Sequence, residues 1–150
     1  MDHYRRFGAM IATSTILMLG LMYLNTYQLD HAYFSETRFY MALIMGATMA
    51  VVMLLFMMEK MYADRRMNAM ILAGSVVLFA VSLWLVRSQR TVEDVSWMKA
   101  MIPHHSIAIL TSERARITDP RARKLADEII EAQRREIEEM KALIADLDGK

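Results

Sequence analysis

The sequence predicts an all-α membrane protein, three transmembrane helices followed by a C-terminal helical hairpin outside the cytoplasm. Three observations predict it. Long uncharged runs occupy Phe7 to Leu29, Phe39 to Met58 and Met67 to Val86, each near the roughly 20 residues that cross a bilayer core. Charges gather between the runs, at Arg5 and Arg6, from Asp30 to Arg38, from Glu59 to Arg66, and from Arg87 onward. From Thr91 to the end the chain becomes charged and amphipathic at helical period. The expected division is a transmembrane domain over 1–87 and a hairpin over 88–150.

Composition removes several functions. The net charge is +1 and no basic cluster is interleaved with aromatics, so the electrostatic footprint of nucleic-acid binding is missing. With 16 Met and no Cys, disulfides and thiolate sites are excluded, and a metal would be held by His, Met, carboxylate or backbone groups.

The first run is longer than the apolar stretch of a secretory signal and lacks a small-x-small cleavage site, so it is expected to be a retained anchor. The second carries Met41, Met45, Met49, Met53, Met57 and Met61 at intervals of four. Four residues turn a helix by about 400°, so this ladder spirals and cannot face one partner along its length. Met fills irregular gaps between helices, which is the simpler reading, although Met41 and Met45 with His31 in the adjoining loop would suit a local soft-metal site. Asn25, Gln28, Asp30 and His31 lie at the outer end of the first span and are expected to mark the interface, the alternative being that they belong to the same extracytoplasmic site. Gly20, Gly46, Ala47, Ala50, Ala73, Gly74 and Ser75 allow close helix packing. Arg5, Arg6, Lys60, Arg65 and Arg66, against Arg38 alone in the first loop, place the N-terminus in the cytoplasm. A multi-pass protein of a bacterial inner membrane is expected, with its hairpin periplasmic or otherwise extracytoplasmic and the lipid bilayer as its first partner.

In the tail, Thr91 and Asp94 resemble a capping box for a helix running to about Ile117. Asp119 followed by Pro120 starts a second helix, and Gly149 ends it. Pro103 inside the first helix removes a backbone hydrogen bond and predicts a kink. Heptad spacing predicts a buried seam of Met98, Met101, His105, Ala108, Ser112 and Ala115 against Ala126, Ile129, Gln133, Glu136, Met140, Leu143 and Leu147. Folding about Thr118 brings His105 level with Gln133, Met101 with Glu136 and Met98 with Met140. Two readings of this polar cluster stand side by side. In one, His105 is a hydrogen-bonded seam residue that sets register and the hairpin docks a partner helix without metal. In the other, His104, His105, Met98, Met101 and Met140 form a soft ligand set favouring Cu(I), with Glu136 orienting an imidazole or serving a second coordination state. Glu113, Glu131 and Glu139 are expected to be solvated helix charges.

The run WMKAMIPHHSIAILTSERA, followed by DPRARKLADEIIEAQRREIEEM, resembles the domain-of-unknown-function-305 family over about Asp94 to Met140. The resemblance implies a ferritin-like helical fold and, from the family's similarity to periplasmic copper-binding proteins, copper ligation by Met98, Met101, His104, His105 and Met140. Many family members look like soluble proteins with two such hairpins, whereas this chain has one. Completing four helices therefore implies a second subunit, a homodimer. The Glu-x-x-His pairs of di-iron proteins are absent, as are the His-Glu-x-x-His zinc motif, a phosphate loop and a nucleophile elbow. Binding rather than catalysis is expected, in metal handling or tolerance, with any metal-handling partner protein unidentified.

Overall fold

The structure, a computed structural model, describes residues 2–57, 62 and 64–149. These form five α-helices and no strand: α1 (Asp2–Leu21), α2 (Glu36–Met57), α3 (Arg65–Ser88), α4 (Asp94–Arg114) and α5 (Pro120–Asp148), with a single turn of 3-10 helix, Leu29–His31, between α1 and α2. They divide into two compact units. One comprises residues 1–21 and 37–91, the other 22–36 and 92–150. The expected boundary at 87/88 thus moves to 91/92, and the linker between α1 and α2 folds with the hairpin.

In the first unit, α1 to α3 make a bundle. Phe7, Ala50, Leu54 and Tyr62 form its buried cluster, with Met53 and Met57 packed on it. Tyr62 packs against both Tyr4 and Phe7, with ring centroids 5.0 and 5.4 Å apart. Tyr4 donates its hydroxyl hydrogen to Asn68 Oδ1 at 2.8 Å, and Asn68 Nδ2 donates to Tyr62 O at 2.9 Å, so the buried amide is satisfied. Asp64 caps α3 by accepting from the amides of Arg66 and Met67 at 2.9 and 3.1 Å. Gly46 is required by close approach: a Cβ there would collide with the Thr15 hydroxyl.

Two helices, Glu36–Met57 and Arg65–Ser88, are long and apolar enough to cross a membrane; only 28% and 11% of their apolar windows are buried inside the protein. The expectation of three such helices is corrected at α1. Its helix starts at Asp2, so Arg5 and Arg6 lie within it, and it stops at Leu21. The uncharged part, 7–21, rises about 22 Å at 1.5 Å per residue, short of the roughly 30 Å hydrocarbon core. The rest of the first apolar run, 22–29, leaves the helix and joins the other unit. Met61 and Lys60 fall outside the described residues. Of the rest of the ladder, Met41 is exposed and Met45, Met49, Met53 and Met57 are half-buried, as a spiralling row must be.

In the second unit α4 and α5 pack as the expected antiparallel hairpin. Asp119 accepts from the amides of Arg121 and Ala122 at 2.8 and 3.4 Å, with Pro120 in the first turn and Gly149 at the far end. The Thr91–Asp94 capping box does not form: Glu93 is the N-cap, without a side-chain bond, and the Thr91 hydroxyl pairs with Tyr40 at 2.9 Å. α4 stops at Arg114 rather than Ile117 and continues through Pro103.

The seam is also corrected. The buried residues are Met98, Ile102 and Ile109 against Ile137, Met140 and Ile144, with Val95, Met101 and Ile130 packed on them. On α5 the stripe is therefore Ala126, Ile130, Gln133, Ile137, Met140 and Ile144, again at alternating steps of four and three. Ile129, Glu136, Leu143 and Leu147 sit to one side of it. An Ile at 137 and 144 outcompetes Glu136 and Leu143 because the position nearest α4 must be apolar and desolvated, while a helix surface a quarter-turn away can stay wet.

Replacing Gly46 by Leu is expected to destabilise the bundle by about 1–3 kcal/mol through overpacking against Thr15, with Gly46→Ala milder because Thr15 can change rotamer. Thermal unfolding in detergent, followed by circular dichroism, measures it; equal melting of wild type and Gly46→Leu would show that the helices do not approach at this point.

Candidate metal centre

His104 and His105 follow Pro103 on α4 and point to different environments because consecutive helix residues diverge by about 100°. His104 is exposed; His105 is half-buried on the α5 side, with ring centroids 6.3 Å apart. His105 Nδ1 lies 3.2 Å from Glu136 Oε2. The ring is turned so that no N–H···O bond forms, and the buried Nδ1 has no hydrogen-bond partner. Burial pushes the His105 pKa below the ordinary imidazole value, Glu136 pulling it up and His104 pushing it down by smaller amounts. Near neutral pH the ring is then uncharged, with its buried Nδ1 beside the Glu136 carboxylate.

The hairpin brings several expected ligands together. Met98 and Met140 are buried in one cluster and Met101 packs on it, one turn from His105 along α4. The level is shifted by about a turn: Glu136, not Gln133, faces His105. Gln133 is half-buried on the core stripe. Met41 and Met45 belong to the other unit. Among the described residues no three His, Asp or Glu side chains converge; the His105–Glu136 pair stands beside neighbouring thioethers.

His31 has a different place from the one expected. It is 5% exposed, and its Nδ1 is 3.0 Å from Ser106 Oγ. Ser106 is fully buried and also accepts the Tyr27 amide hydrogen at 2.7 Å. With that lone pair occupied, the hydroxyl hydrogen is free to go to His31 Nδ1. Lys141 clamps the same segment by donating to Asp30 Oδ2 at 2.8 Å, which lowers the Asp30 pKa and raises that of Lys141. Ser106 was not legible as the partner of His31, nor Lys141 as that of Asp30: a Ser in an apolar run is the available signal, but its partners lie 75 and 79 residues away.

Burial also lowers the His31 pKa, with Asp30 and Glu138 opposing and Lys141 assisting. The unfolded chain therefore binds more protons than the folded one just below the ordinary His value. Stability of this unit should be full above about pH 6.5 and fall as pH drops below it. Chemical denaturation at pH 7.5, 6.5 and 5.5 checks the direction, and His31→Gln should flatten part of the slope. Ser106→Ala leaves the Tyr27 amide and His31 without their partner and should cost about 1–3 kcal/mol; an unchanged denaturation midpoint would sink this account of the clamp.

Residues 56–144 match the family described as Domain of unknown function (DUF305), a stretch that begins at the end of α2 and takes in α3 as well as most of the hairpin. The chain is also similar to Uncharacterized protein L153 of Acanthamoeba polyphaga mimivirus, 32% identical over 108 residues that cover 71% of this chain and 68% of that protein. No solved structure matches. Because the match spans more than half of the sequence and includes the paired histidines, all of α4 and most of α5, the chain belongs to the DUF305 family.

Proposed function

We propose that this protein is a membrane-anchored binder of a soft metal ion, Cu(I) first, and that it serves metal handling or tolerance by holding the ion rather than by turnover. One observation carries the reading: the buried His105 Nδ1 that lacks a hydrogen-bond partner, 3.2 Å from Glu136 Oε2 and a turn from Met101. A cation entering there would take the imidazole nitrogen and the carboxylate oxygen as donors. Thioether and imidazole donors suit Cu(I). His105, Met101 and Glu136 are the first donors in this reading, with exposed His104 able to swing in. Met98 and Met140 lie deeper, where drawing a sulfur to the ion would disturb core packing.

The bilayer as anchor is supported by the outward surface of the first unit, where Ile16, Leu17, Leu55, Phe56, Val76, Val77 and Trp84 are all exposed. Such a surface in water would expose a large apolar patch; in lipid it needs no cover. The α2–α3 connection carries Lys60 and α3 opens with Arg65 and Arg66, and the hydrogen bonds of Tyr4 to Asp64 and Asn68 bring Arg5 and Arg6 to the end where α3 begins. By the positive-inside rule that end is cytoplasmic, and the hairpin is read as extracytoplasmic, where a partner protein would deliver or receive the ion.

The test is Cu(I) titration of the full chain in detergent against a chromophoric Cu(I) chelator, beside the His104→Ala/His105→Ala variant. Affinity should fall by on the order of tenfold or more in the variant, since even the supports of a metal ligand carry that much. Equal affinity in the two proteins would overturn the reading.

A further inference from the structure

Where the linker 22–36 lies on the hairpin it leaves a cavity of about 230 Å³. The linker supplies Tyr27, Gln28 and His31 to its wall, and its floor is Ile109 of α4 and Ile137 of α5, each 1% exposed. Exposed Arg134 and Glu138 stand with exposed Gln28 where it opens to solvent. All of these residues belong to one compact unit, and none is a donor in the copper site proposed above. For scale, an apolar cavity of about 150 Å³ holds benzene. This one has room for a single ring with a substituent.

The ionic groups at the opening are already matched within the chain. Arg134 donates through Nη2 to Glu113 Oε1, and Lys141 donates to Glu138 Oε1 at 3.4 Å and to Asp30 Oδ2 at 2.8 Å. A charged ligand would give up its hydration for a wall with no uncompensated charge, and burying a charge unpaired costs a great deal. The imidazole offers something else. His31 is buried, and its Nδ1 is spent on the Ser106 hydroxyl at 3.0 Å, so the ring hydrogen sits on Nε2. Among the described residues Nε2 makes no hydrogen bond, and Asp30 Oδ1, 3.9 Å away, is beyond reach. A buried N–H without an acceptor is costly. An oxygen carried in on an apolar body satisfies it, while the body displaces water from Ile109 and Ile137.

We infer that this cavity is a binding site for a small uncharged ring compound carrying an acceptor oxygen, of the size of a phenol or a cyclic ketone. The oxygen accepts from His31 Nε2–H and the ring lies on the two isoleucines. Because linker and hairpin each supply part of the wall, an occupant ties one to the other and stabilises the unit.

The chain has four His, so full-length protein carrying isotopically labelled histidine gives few ring signals in a nuclear magnetic resonance spectrum, and His31→Gln identifies that of residue 31. The titration is made in detergent at pH 7.5 with phenol and cyclohexanone, and with benzoate and benzylammonium as charged counterparts. Expected is a saturable shift of the His31 Nε2 signal with phenol, at a dissociation constant on the order of millimolar, and binding at least about tenfold weaker for both charged probes. Gln28→Trp, a change at the exposed opening, should abolish the shift and leave helicity by circular dichroism unchanged; the probe series on the unmodified chain carries the test if that variant does not fold. No saturable shift with either uncharged probe means that the cavity holds water alone and overturns the site. Equal shifts at His3, His31 and His104 mark a solvent effect and overturn it as well. Tighter binding of benzoate or benzylammonium overturns the uncharged class, and a shift that survives in folded Gln28→Trp puts the ligand elsewhere and overturns the assignment.

Discussion

The hairpin's apolar seam is the contact on which the rest of its unit depends. Met98, Ile102 and Ile109 meet Ile137, Met140 and Ile144, and burying each such side chain contributes about 1.5–3 kcal/mol before conformational entropy is charged against it. That contact sets the rotation of both helices about their axes. Once Ile137 and Ile144 point at α4, Glu136 must stand on the flank, His105 must stand opposite it, and Leu125, Leu143 and Leu147 must face away. The position of the candidate centre at an edge of the hairpin, rather than within it, follows from which residue is most apolar at each step of the heptad.

The same contact explains the linker. A hairpin of two helices offers little enclosed volume, and small units are marginal because too little of their surface is buried. Residues 22–36 add a third layer: Tyr27 and Tyr33 pack on the seam cluster, and Ser106 and Lys141 hold the segment by His31, its neighbour Asp30 and the Tyr27 amide. The interior acquires a buried imidazole in exchange, and with it a dependence on acid that a purely apolar core would not have. Polar closure of this kind specifies one docking position, since Ser106 satisfies a backbone amide and a ring nitrogen together.

Methionine packs in both units of this chain. In the first unit, Met53 and Met57 fill space around Phe7, Leu54 and Tyr62, as a flexible apolar side chain does between helices. In the hairpin, Met98 and Met140 do the same within the seam, while Met101 lies at its margin beside His105. Packing and ligation are not exclusive for a thioether: the sulfur that is a good core atom is also a soft donor, and what separates the roles is whether a nitrogen or carboxylate donor stands within reach.

The sequence by itself determined the helical class, two apolar helices of membrane length, the hairpin with its Asp119–Pro120 start, and the neighbourhood of His104, His105, Met101 and Glu136. All of these rest on local composition and spacing, which act within a few turns of chain. Tertiary structure decided that α1 ends at Leu21, that the stretch after it folds onto the hairpin, and that His31 binds Ser106 rather than standing near Met41. It also resolved one averaged heptad stripe into two, about 90° apart, one closed by α4 and α5 and one open. A heptad pattern records that a face is apolar but not which neighbour covers it; only packing, which lets Ile137 exclude Glu136 from the seam, assigns each stripe to its partner.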